Sequence, residues 1–138
     1  MCVKNLYSCY FNKLLSDLEK IASQGIHNFG YVERMILERT LFVIFKLWVR
    51  DRFQVELHGF SDSYKLQLLD IVGKKIDTRD FMIICKVFDL KNYLRSLSCE
   101  NPYVRGDSIL KLNVGVDKVF VVIKSQILGI QRLIRTLD

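Results

Sequence analysis

Apolar residues recur along most of this chain at three- and four-residue steps, the spacing of amphipathic helices. In "LYSCYFNKLLSDLEKIA", Leu6, Tyr10, Phe11, Leu14, Leu15, Leu18 and Ile21 fall on one face, with Lys13, Asp17 and Lys20 opposite. The pattern predicts a helix of about five turns ending before Gly25, a helix-stopping residue. A second helix is expected to begin between Asn28 and Tyr31 and to run to His58, where Gly59 can stop it. Glu33, Arg34, Glu38 and Arg39 are read as facing water. Leu37, Leu41, Ile44, Phe45, Trp48 and Phe53 form its main apolar face, widened by Phe42, Val43 and Val49, and Arg39, Lys46 and Arg50 mark a narrow polar stripe. A helix apolar on nearly all sides is normally enclosed by others. Its run "LFVIFKLWV" is nine residues long and contains Lys46. That is too short for a membrane span, which takes about 20 mostly apolar residues.

A third helix is expected after Ser61 or Asp62 as N-cap, with Leu66, Leu69 and Val72 inward and Gly73 at its end. A fourth follows Asp77 or Thr78, turning Phe81, Ile84, Cys85, Phe88, Leu90 and Leu94 inward. Asn101 and Pro102 read as N-cap and first residue of another helix, which Gly106 and Gly115 would interrupt. In the last segment Val116, Phe120, Ile123, Ile127, Ile130, Ile134 and Leu137 keep helical period, opposite Lys118, Lys124, Gln131, Arg132 and Arg135. The β-branched cluster "VFVVI" would suit a strand, but the period over the whole segment decides for helix. Val119, Val121, Val122, Leu128 and Leu133 lie beside this stripe, more apolar side chains than one core face needs. Such a surplus is buried either by neighbouring helices or by a partner. The expected fold is all-α: one compact bundle of five or six helices over residues 1–138, with short links.

Composition agrees with a folded domain: half of the 138 residues are hydrophobic, with one proline and seven glycines. The net charge of +6 permits contact with nucleic acid or acidic partners without specifying either. Candidate partner or nucleic-acid contacts are Lys74 and Lys75 at a helix end and the C-terminal set Lys118, Lys124, Arg132 and Arg135. Tyr103 near Arg105 is the one exposed-looking aromatic–basic pair, and no helix-turn-helix pattern appears. Cys2, Cys9, Cys85 and Cys99 form no CxxC pair and have no histidine at metal-ligand spacing, so they are read as free, buried thiols of a reducing cytoplasm. His27 and His58 occupy a link and a helix end, where imidazoles cap carbonyls or face solvent. No phosphate loop, dinucleotide turn, nucleophile elbow or HExxH pair is present. Glu33/Glu38 and Asp77/Asp80 have arginine neighbours and read as solvated ion pairs. The expectation is therefore a chain with no catalytic residue, cofactor or metal, and the alternatives left are an interaction module, a basic helical nucleic-acid binder and a carrier with a pocket inside the bundle.

The stretch "YFNKLLSDLEKIASQGIHNFGYVERMILERTLFVIFKLWVRDRF" resembles the helical C-terminal collar domain of the delta-prime subunit of bacterial DNA polymerase III clamp loaders. An opening "f..lL..l" helix matches residues 11–15, and an apolar "lf..ll.wlrd" run matches 41–51. The helix over 88–97 and the Asn101-Pro102 junction leading to 109–112 complete the likeness, which spans residues 7–113. The family's ATPase-like module and zinc-binding cysteines have no counterpart here, and the helix over 116–137 extends past the expected end of that domain. The resemblance implies a role in DNA replication, with apolar faces that pack against other subunits of a clamp-loader-like complex and no ATP site.

Overall fold

The computed structural model describes residues 3–25, 29–97 and 116–135. It is all-α, with five helices among the described residues: α1 (Val3–Gln24), α2 (Tyr31–Phe53), α3 (Asp62–Val72), α4 (Thr78–Leu97) and α5 (Val116–Arg135). A single 3-10 turn, Gly73–Lys75, joins α3 to α4. The helix expected at Asn101 and Pro102, the Tyr103–Arg105 pair, His27, Cys2, Cys99, Leu137 and the side chain of Val116 lie outside the described residues.

Packing runs in a ring, α1 on α2, α2 on α4, α4 on α5 and α5 back on α1, while α3 lies against α4. One continuous core fills the ring. It takes Phe11, Leu14, Leu18 and Ile21 from α1, and Leu37, Leu41, Ile44, Phe45, Trp48 and Val49 from α2. Ile83, Ile84, Val87, Phe88, Leu90 and Leu94 come from α4, and Val119, Phe120, Ile123, Ile127, Ile130 and Ile134 from α5. Of the expected stripes, Phe11, Leu14, Leu18 and Ile21 of α1 and Phe120, Ile123, Ile127, Ile130 and Ile134 of α5 are buried, while Leu6, Tyr10 and Leu15 are half-buried. Phe29, in the link before α2, is fully buried as well.

Three differences from the expected elements have local causes. First, α2 stops at Phe53 rather than His58. Gln54 turns into the left-handed region (φ 57°) and its N–H donates to the Arg50 carbonyl at 2.9 Å, closing the helix. Residues 55–60 then carry no regular secondary structure, and Leu57 and Phe60 return to the core while Glu56 and His58 face solvent. The Phe60 ring stands 5.2 Å from Phe42 and 6.1 Å from Phe45. This link, rather than another helix, covers the extra apolar side of α2.

Second, α3 docks through Leu68 and Val72, leaving Leu69 half-buried and Leu66 exposed. Its apolar residues lie on more than one face, and contact with α4 selects between them. Third, α4 leaves Phe81 and Met82 exposed and buries Asp80 completely. Asp77 Oδ1 accepts from the Asp80 N–H at 2.8 Å, and Asp80 Oδ2 accepts from the Asp77 N–H at 3.3 Å. This reciprocal cap turns the aspartate, instead of Phe81, toward the bundle.

Candidate functional site

Most charged groups that approach the core are absorbed in holding elements together. Lys91, on α4, is only 1% exposed. Its Nζ donates to the Phe60 carbonyl at 2.8 Å and to Asp62 Oδ1 at 3.0 Å, and lies over the Phe88 ring, 4.9 Å from its centroid. A buried ammonium persists only where such partners replace its hydration. The hydrogen bond from Lys91 also holds the Asp62 carboxyl below its ordinary pKa. Glu38, expected in water, is buried. It accepts from Arg95 Nη2 at 2.8 Å and faces Arg34 Nη1 at 3.6 Å, joining α2 to α4. The bond to Glu38 raises the pKa of Arg95 further. Arg52 reaches from the end of α2 to Asp80 at 3.1 Å and Asp77 at 3.7 Å. The Asp80 N–H is the largest of the influences that lower the pKa of Asp77. The Glu33/Glu38 and Asp77/Asp80 pairs are thus only partly solvated, because one member of each is buried and bound to an arginine.

Other predicted chemistry is dispersed. His58 is exposed on the link after α2, and Cys9 is exposed and Cys85 half-buried rather than buried as expected. Cys9 sits on the outer side of α1, away from the apolar face that the core recruits. Among the described residues no group of three or more His, Cys, Asp or Glu side chains is placed to hold a metal ion, and no helix is long and apolar enough to cross a membrane.

The feature with the shape of a binding site lies between α1 and α5. A groove of about 370 Å³ is floored by Leu15, Leu18, Ala22 and Phe120, with Val121 and Lys124 on its α5 bank. Asn12, Ser16 and Glu19 form the polar edge of the α1 bank. The α1 residues from 12 to 22 cover about 15 Å at 1.5 Å per residue, roughly three helical turns. Val121 is 63% exposed and the neighbouring Val122 40%. The apolar surplus of α5 thus narrows to these two, because Val119 is buried, Leu133 packs on the core and Leu128 is half-buried. A second hollow of about 420 Å³, between α4 and α5, is polar and lined by Lys86, Asp89, Tyr93, Ser125, Gln126 and Gly129. Burial raises the pKa of Tyr93 there.

All six predicted basic contacts are exposed. Lys118, Lys124, Arg132 and Arg135 fall within roughly a third of the circumference of α5 at about 100° per residue, with Val121 among them. None of the four forms an ion pair among the described residues, whereas Arg34, Arg52, Lys91 and Arg95 all do. Lys74 and Lys75 stand apart on the 3-10 turn. Gln131, expected on this polar side, is buried. The α1 bank escaped the sequence reading because Leu15 and Leu18 look like ordinary core positions. The one signal for it is Ala22, a small residue that leaves room on the α1 face. Comparison with protein-family models, curated proteins and solved structures finds no match to this chain.

Proposed function

We propose that this chain is a non-catalytic interaction module that holds protein subunits together, as the collar resemblance implies for a clamp-loader-like complex in cytoplasmic DNA replication. The groove between α1 and α5 carries this reading: an apolar floor bordered by the exposed Val121 is surface that a protein partner would bury. The module has no active site of its own, and contact with the partner is its activity. The test is isolation of the tagged chain from its native host, alongside a Val121→Asp variant. The expected outcome is a subunit retained at fixed stoichiometry by the first and lost by the second. A chain that is monomeric and partnerless in both forms removes the reading, and a partner unrelated to clamp loaders removes its collar component.

A second reading rests on the four cations of α5 that form no ion pair among the described residues: a basic helical face that tracks a phosphate backbone. It requires fluorescent single- or double-stranded probes to bind at low salt and to dissociate steeply as salt rises. Unchanged anisotropy at low salt eliminates it.

A further inference from the structure

The interaction reading leaves open what fills the α1–α5 groove, and the charges around it narrow the answer. Its floor of Leu15, Leu18, Ala22 and Phe120 contains no hydrogen-bonding side-chain group, so an occupant must present an apolar stripe. On the α5 bank stands Lys124, and Lys118, Arg132 and Arg135 continue the exposed cationic face of that helix beyond the groove lining. The carboxylates paired in the interior answer α2 and α4, and among the described residues none is ion-paired with the α5 cations. A second copy docking α5 against α5 would set cations against cations, a costly juxtaposition. A nucleic-acid backbone would satisfy the cations but would leave the apolar floor unfilled.

Resting on that reading, we infer that the groove takes an amphipathic helix of a different protein, with an apolar stripe on the floor and an acidic flank along α5. The roughly three turns of the α1 bank match the anchor spacing of a helix laid in a groove. Glu19, on the opposite bank, disfavours acid on the other flank, so the charge of the occupant is one-sided.

Two labelled synthetic helices of about five turns test this with the full chain, sharing one leucine stripe and carrying either glutamates or lysines along one flank. The glutamate helix is expected to bind about tenfold or more tightly than the lysine helix, and to weaken with salt. Val121→Asp is expected to cost about tenfold in affinity, since it places a carboxylate in the contact. That side chain is exposed, so an unchanged melting temperature will show that the variant is folded. Lys118→Glu with Lys124→Glu should reverse the preference between the helices. Equal affinities, preference for the lysine helix, displacement by a single-stranded oligonucleotide, or self-association that depends on Val121 would each overturn the acidic-helix assignment. If the helices fail while Val121→Asp still releases a native subunit, the occupant is wrong and the module stands. If Val121→Asp releases nothing, the module reading falls separately.

Discussion

Lys91 shows how much one residue determines here. Its ammonium is bonded to the Phe60 carbonyl and the Asp62 carboxylate, so it ties the link after α2 and the start of α3 to α4. Lys91→Met retains the aliphatic stem but strands the carbonyl, and is expected to cost about 1–3 kcal/mol by chemical denaturation. A cost near zero would mean that packing alone holds the link. The partners also set the acid response. Asp62 and Asp77 have folded pKa values below their unfolded ones, by the Lys91 bond and the Asp80 N–H respectively. Their contribution is therefore complete above the unfolded carboxylate value of about 3.9 and is lost as pH falls through the lower folded values. Thermal melts should decline in the acid range below about pH 4, and Asp62→Asn should flatten part of that decline. An identical acid limb in the variant would contradict the assignment. The Asp77 cap is legible from local spacing, but the long-range part of this polar framework is not. Glu38 meets Arg95 across 57 positions, and a local pattern sees only a carboxylate beside Arg34 and Arg39.

Among the elements, legibility follows the number of faces that carry apolar residues. α1 and α5 each bury the main part of the stripe that the periodicity marks, although α5 also buries Val119 and Gln131 from outside it. α3 and the start of α4 are apolar on several sides, so spacing alone could not choose Leu68 over Leu66 or exclude Phe81. The end of α2 was missed for another reason. No glycine or proline lies between Gly30 and Gly59, and a glutamine in the left-handed region leaves no sequence signal. The pattern that follows does carry one: Val55 and Leu57 turn inward on either side of the exposed Glu56, a two-residue period inside a supposed helix. Gly59 then serves for space rather than for stopping a helix. A β-carbon there would lie 2.2 Å from the Tyr64 ring, so the link enters α3 pressed against that tyrosine. Gly59→Ala is expected to cost about 1–3 kcal/mol, in the range of overpacking. Adding Tyr64→Ala should recover part of that loss, and a strictly additive pair would place the strain elsewhere.

At the scale of the whole molecule, the ring of α1, α2, α4 and α5 closes around one core, while α2 and α5 stand diagonally across it. Helices that share a core in this way unfold together, because removing one exposes the apolar face of both its neighbours. Trp48, the only tryptophan, reports on this from α2, where it is nearly buried and stacks on Phe45 at 5.9 Å. Ile127 is 1% exposed on α5. Ile127→Ala deletes three buried carbons and is expected to destabilise by about 2–5 kcal/mol. If the ring is cooperative, the transition seen by Trp48 fluorescence should move by that whole amount and remain superimposed on the helical circular dichroism. If α5 is an independent appendage, part of the helical signal should melt early while the fluorescence transition of Trp48 stays in place. The distinction bears on the groove, because a bank that frays separately from α1 could not hold a helix in register. Coincident transitions would make the α1–α5 groove a preorganised surface, so that a partner helix pays only for its own ordering.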